Sequence, residues 1–192
     1  MGTRILDVGT GTGAAAAAAV LRGAEVAAVD AEPDMLRLAA RAAGGARLCV
    51  GALPTLPFAD DAFAAVVANF VLNHVGRPRV ALAELRRVTA PGGTVAVTIW
   101  SGTEAGFAAL LRDAGLSEVS CSTLYWDHFT DREEWWSGPT VGLAKIGQIL
   151  TNQTNETIAR VRRHYERLSE RFATPDGRMA LPHAAFLAVG RA

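Results

Sequence analysis

Short apolar runs alternate with helix-length stretches along most of the chain. Arg4 to Val8 reads as a first strand, followed by a helix from Thr12 to about Arg22 that Gly23 closes. Glu25 to Asp30 reads as a second strand. Pro33 then fits the first turn of a helix running to about Ala43, where its missing N–H is harmless, and Gly44-Gly45 stops it. Leu48 to Val50 gives a short third strand, and Phe63 to Asn69 a fourth, apolar enough to be buried on both faces. Pro78 opens a helix whose Ala81, Leu85 and Val88 share one face, and Pro91-Gly92-Gly93 turns the chain into a fifth strand, Thr94 to Trp100. A helix from about Glu104 to Ala114 follows, ended by Gly115. Repeated strand–helix–strand units with short loops predict an α/β, doubly wound, mostly parallel sheet with right-handed crossovers.

The pattern changes after about residue 118. Val119 to about Trp126 reads as a sixth strand and Ala184 to Val189 as a last one, with a helical stretch between them. Ile158, Val161, Tyr165, Leu168 and Phe172 follow helical spacing, while Arg160, Arg162, Arg163, Glu166, Glu170 and Arg171 fall on other faces. The expectation is one domain over residues 1–192. It comprises a core, 1–118, and a remainder, 119–192, carrying a helical cap at 129–180.

The join between the first strand and first helix carries the strongest chemical signal. Leu6-Asp7-Val8-Gly9-Thr10-Gly11-Thr12-Gly13 places three glycines at alternate positions. Such a turn lets a ligand approach the backbone, and the helix behind it offers unpaired N–H groups and a positive dipole end. Gly9-x-Gly11-x-x-Ala14 with Asp30 about 20 residues on also satisfies the dinucleotide fingerprint. Asp7 separates the two readings. A carboxylate here repels a pyrophosphate and attracts a cationic group, so it favours S-adenosylmethionine over NAD, with a surface Asp that merely caps a turn as the simpler alternative. Asp30, Ala52, Asn69 and Trp100 all fall at carboxyl ends of strands, where sheets of this kind bind ligands.

Composition narrows the class of partner. The 192 residues are 50% apolar with zero net charge, which argues against a nucleic-acid backbone as partner. Basic charge is almost all arginine, Lys145 being the single lysine, a sign of GC-rich coding. Cys49 and Cys121 are far apart, with no metal-ligand spacing, so no metal is expected. The chain enters a strand directly and its longest uncharged stretch is too short for a bilayer. A cytoplasmic protein without membrane or nucleic-acid partners is therefore expected, with a homodimer left open.

Taken together, these residues resemble the class I S-adenosylmethionine-dependent methyltransferases of the small-molecule type, well over about residues 4–120 and loosely beyond. Leu6 to Gly13 resembles the family's first motif and Val29-Asp30 its second. Asp34-Met35-Leu36, Leu56-Pro57-Phe58-Ala59-Asp60-Asp61-Ala62-Phe63, Asn69 to Val75, and Glu84 to Val88 with Pro91-Gly92-Gly93 are similar to later segments, in order. The resemblance implies a Rossmann-like seven-stranded sheet with an antiparallel last strand. It also implies a cofactor site of Asp7, Gly9, Thr10, Gly11, Asp30, Ala31, Met35, Ala52, Leu53, Asn69 and Phe70, with Asp30 on the ribose hydroxyls and Met35 packed on the adenosine. Three departures stand out. Ala52 and Ala64 occupy positions usually acidic, leaving the adenine amino group to backbone near Leu53 or to water. The family's helical segment before the first strand has only Met1-Gly2-Thr3 in its place, so the substrate side is expected to be open, completed by a second subunit, or outside this chain.

Methyl transfer from a sulfonium needs mainly in-line positioning, with a base only for an acceptor that arrives protonated. His74, just after the fourth strand, is the candidate base, against a purely structural histidine. Trp100, His74 and His128 are the candidate substrate residues. An apolar aromatic lining predicts a small apolar or aromatic acceptor, plausible in bacterial secondary metabolism. The competing readings are a non-catalytic Rossmann-like partner subunit and an NAD-dependent oxidoreductase.

Overall fold

The computed structural model describes residues 2–140 and 144–192. Seven strands, β1 (Arg4–Val8), β2 (Glu25–Asp30), β3 (Arg47–Val50), β4 (Phe63–Asn69), β5 (Thr89–Ile99), β6 (Ser117–Thr130) and β7 (Met179–Arg191), form one sheet in the order β3-β2-β1-β4-β5-β7-β6. Pairings β1–β2, β1–β4, β2–β3 and β4–β5 are parallel, whereas β7 runs antiparallel to β5. The helices α1 (Ala14–Val20), α2 (Pro33–Ala42), α3 (Pro78–Val88) and α4 (Glu104–Asp113) connect the parallel strands and the start of β6. This is the Rossmann-like methyltransferase fold, with strand order reversing beside β1, where such sheets open a crevice.

Burial explains the sheet. Leu6, Val29, Val66, Val95 and Val97 of the strands are fully buried in one core cluster with Leu82, Leu85 and Val88 of α3 and Phe107 and Leu111 of α4. A smaller cluster of Ala16, Val26, Ala28 and Ala43 serves α1, whose alanines allow close packing on the strands.

Contacts divide the chain into two compact units, residues through Leu124 with Ala185–Ala192, and Tyr125–Ala184. The second unit holds α5 (Arg132–Thr140), α6 (Ala144–Thr151) and α7 (Asn155–Ser169), together with the far halves of β6 and β7. Thr154 caps α7 by accepting from Thr157 N. Arg162 on α7 reaches Glu166 at 2.7 Å and also Glu133, and lies over the rings of Trp136 and Tyr165. The Tyr165 hydroxyl donates to the Arg132 carbonyl at 2.6 Å.

Several element limits differ from the sequence reading. The first helix begins at Ala14, after Gly13 has taken a left-handed φ of 87° as its N-cap. β5 begins at Thr89, which pairs with Phe63 of β4, and the Gly92-Gly93 segment after it is tied to the end of the chain: Gly92 N donates to Ala192 O, and Ala192 N to Gly93 O. β6 and β7 extend well past Val119–Trp126 and Ala184–Val189, and much of the extra β6 length is exposed.

Candidate functional site

The first-unit crevice lies across the carboxyl ends of β2, β1 and β4 and the segment after β3, with a volume of about 620 Å³, within the range of small-ligand sites. On its β2–β3 side stand Asp30, Ala31, Met35, Ala52 and Leu53; on its β4 side, Asn69, Phe70 and His74; Gly9 lies between. Nine predicted residues therefore share one cavity. Val8, Glu32, Gly51, Val71 and Val75 also line it and were missed. Adjacency to a strand end was the available signal for each of them except Val75.

Asp7, Thr10 and Gly11 act from behind this surface. Asp7 is 2% exposed, and its Oδ2 accepts from Thr10 Oγ1 at 2.7 Å and from Ala16 N at 3.0 Å. The carboxylate thus ties the glycine turn to the first turn of α1. The Ala16 N–H, expected to face a ligand, points instead to Asp7. Burial pushes the Asp7 carboxyl above its ordinary value of 3.8; the Thr10 and Ala16 hydrogen bonds oppose this, and the charge of Asp30 adds to it.

Asp30 is braced from both sides. Its Oδ2 accepts from Gly11 N at 2.8 Å and its Oδ1 from Glu32 N at 3.0 Å, which fixes the carboxylate at the cavity edge with lone pairs to spare. Two of the N–H groups that a diphosphate over this turn would need, on Gly11 and Ala16, are already donated to carboxylates. The turn suits a ligand carrying hydroxyls and positive charge. Gly11 has φ 54° with open space where a Cβ would stand, whereas a Cβ on Gly13 would sit 2.8 Å from Ala39 Cα. The outer glycine has no close neighbour; the inner one leaves room for α2.

The β4 side is held by polar side chains from β5. Thr98 Oγ1 donates to Asn69 Oδ1 at 2.6 Å and accepts from Phe70 N at 2.9 Å. Phe70 has φ 60°, a left-handed conformation costing a bulky residue on the order of 1–3 kcal/mol. Its ring stacks on Trp100 at 3.8 Å between centroids and 3° between planes, and Asn73 Oδ1 accepts from Trp100 N. Trp100 therefore backs Phe70 and does not itself line the crevice. His74 closes a short 3₁₀ turn, with its N–H donated to Val71 O and its exposed side chain at the cavity edge.

The segment between β3 and β4 is gripped by α3. Glu84 Oε1 accepts from Leu56 N at 2.6 Å, and Arg87 donates to Glu84, to Asp60 at 2.6 Å and to Phe58 O at 3.0 Å. Arg87 holds the Glu84 carboxyl below its ordinary value of 4.5. The i,i+3 spacing of Glu84 and Arg87 was visible in the sequence, but their loop partner was not.

His128 belongs to the second unit, where its ring lies 5.7 Å from that of His183 and 5.3 Å from Trp135. That unit has its own apolar cavity of about 590 Å³, lined by Trp135, Trp136, Ile149, Val161, Tyr165 and Leu168 among others. Among the described residues no cluster of three or more His, Cys, Asp or Glu could hold a metal, and no helix is long and apolar enough to cross a membrane.

Comparison with known proteins agrees with the fold. Residues 6–97 match the methyltransferase domain family. A demethylmenaquinone methyltransferase from Renibacterium salmoninarum is 40% identical over 100 residues, covering 52% of this chain and 42% of that protein. A malonyl-[acyl-carrier protein] O-methyltransferase from Halorhodospira halophila is 45% identical over 97 residues, covering 48% and 33%. The chain thus spans less than half the length of these relatives. The structure of phosphoethanolamine N-methyltransferase 2 from Haemonchus contortus, solved with S-adenosyl-L-methionine, superposes with a TM-score of 0.62 at 15% identity, covering 100% of this chain and 49% of that one. Over residues 6–97 the chain is thus similar to the methyltransferase domain family, and its fold is that of solved S-adenosylmethionine-dependent methyltransferases.

Proposed function

We propose that this protein transfers a methyl group from S-adenosylmethionine to a small, apolar or aromatic acceptor. The observation that carries the reading is the braced Asp30 carboxylate at the edge of a cavity whose glycine turn has its N–H groups turned inward. The donor set fits the cofactor: Asp30 accepts from ribose hydroxyls, Met35 and Leu53 pack on a purine, and the negative charge of Asp7 behind the turn favours an ammonium group. When bound, the cofactor supplies a methyl carbon on a sulfonium with a neutral leaving group.

The chain's own residues then orient the acceptor and manage its proton. Phe70, braced by Trp100, offers a flat apolar surface at the β4 side, and His74 stands near it to take the proton of a hydroxyl or carbon acid as the methyl is accepted. The acceptor is a small molecule. An aromatic ring fits the Phe70 wall, and it is consistent with a relative named for demethylmenaquinone. A relative named malonyl-[acyl-carrier protein] O-methyltransferase is similar over about half of this chain. Radiolabelled methyl transfer to a panel of naphthols, quinols and carboxylic acids tests the reading. Label appearing only in a His74-dependent naphthol or quinol product is expected, and no transfer to any member despite bound cofactor would overturn it.

A further inference from the structure

The most strained non-glycine residue next to the crevice is also the one most heavily braced. Phe70 adopts φ 60°, and neighbours hold it in three ways. Its N–H donates to Thr98 Oγ1, the same hydroxyl donates to Asn69 Oδ1 on the preceding residue, and its ring lies flat on Trp100. Trp100 is tied in turn, its N–H donated to Asn73 just beyond Phe70. A strained conformation persists only where surrounding structure over-determines it, and such sites tend to be functional. Folding alone gives no reason to place a phenylalanine here, since a glycine would relieve the strain.

The strain sets where the ring sits. Phe70 lines the crevice on the side opposite Met35, Ala52 and Leu53. On the proposed function, on which this inference rests, the ribose is at Asp30 and the purine lies toward Met35 and Leu53; the Phe70 ring, which the resemblance assigns to the cofactor, is then left to face the acceptor. We infer that Phe70 is a specificity-determining residue for a planar acceptor ring and that Thr98 is the positioning residue that holds it there. A single hydroxyl, with one acceptor and one donor bond in use, fixes both the backbone turn and the Asn69 side chain. An aromatic ring stacked at 3.8 Å on a second ring is a rigid plate, so it favours flat acceptors over puckered ones of equal size.

The test compares binding of 1-naphthol and trans-1-decalol, which have the same carbon skeleton with and without aromatic planarity, by titration calorimetry in the presence of S-adenosylhomocysteine. The parent is expected to bind naphthol at least ten-fold more tightly than decalol. Thr98→Val is expected to lose about ten-fold in naphthol affinity and several-fold less in S-adenosylhomocysteine affinity, and Thr98→Ser to restore both. Phe70→Gly is expected to abolish the naphthol preference while raising the thermal midpoint or leaving it unchanged. Equal binding of the two probes by the parent would overturn the planar-acceptor claim. A Thr98→Val variant that keeps its naphthol affinity, or loses both ligands equally, would overturn the positioning role. Failure of the parent to bind S-adenosylhomocysteine would instead overturn the proposed function itself, so the two failures are distinguishable.

Discussion

The two units differ in what holds them together. In the first, a crevice is assembled at strand ends from a glycine turn, two braced carboxylates and a hydroxyl linking β4 to β5. In the second, α7 is joined to α5 by side chains distant in sequence, Arg162 to Glu133 and Tyr165 to Arg132, beside an apolar cavity with half-exposed walls. The lesson is that the crevice is placed by the ends of parallel strands, whereas side-chain pairs between helices hold the other unit. Changes in the first unit should therefore be severe or ligand-specific, and changes in the second mild.

Gly13→Ala should be the most damaging. The new methyl would press on Ala39 Cα from a left-handed backbone, and a loss of about 3 kcal/mol is expected in chemical denaturation. Gly11→Ala, with open space around it, should cost only about 1 kcal/mol in stability yet weaken S-adenosylhomocysteine binding about ten-fold. If the two variants behaved alike, the division between an inner and an outer glycine would be wrong.

Arg87→Met should cost about 2–3 kcal/mol, since it strips Glu84, Asp60 and two loop carbonyls of their donor. The pH dependence has a defined sign. Glu84 is held below its ordinary value in the folded state, so its stabilisation is complete above that value and is lost as pH falls through the lower folded value. The difference between parent and variant in thermal melts should narrow below about pH 4.

Asp7→Asn should separate stability from binding. The folded-state value of Asp7 lies above its ordinary one, so stability declines as pH rises from 3.8 through the raised value. The amide keeps an acceptor for Thr10 and Ala16 and removes that decline, so the melting temperature at pH 8 should hold or rise. S-adenosylhomocysteine affinity should fall about five-fold, the size of one screened charge interaction. In the second unit, Tyr165→Phe should cost about 1 kcal/mol, the worth of one hydrogen bond, and leave cofactor affinity unchanged.

The same contrast governs what could be read from the sequence. β1, β2 and β4 were legible to the residue because each is a buried apolar run bounded by glycine, proline or aspartate. Asp30, Ala52 and Asn69 followed from strand ends, and Ala31, Met35, Leu53 and Phe70 from the family resemblance. The early start of β5 was not legible, because it depends on Phe63 of β4 and on Ala192, both distant in sequence. Thr98 and Asn73 were missed because an ordinary polar residue gains its role only from the neighbour that folding supplies, here Phe70 and Trp100. Trp100 was expected to wall the site directly and instead backs Phe70, since the sequence gives no sign of which ring lies in front.

The central claim is that Asp30, braced by Gly11 and Glu32, anchors the ribose of S-adenosylmethionine in the crevice. Calorimetric titration with S-adenosylhomocysteine, on the parent and on Asp30→Ala, tests it most directly. The parent should bind with a dissociation constant on the order of 10 μM, and loss of two charge-assisted hydrogen bonds should weaken the variant at least about thirty-fold. Equal affinity in the two proteins, or binding of NADH in place of S-adenosylhomocysteine, would contradict it.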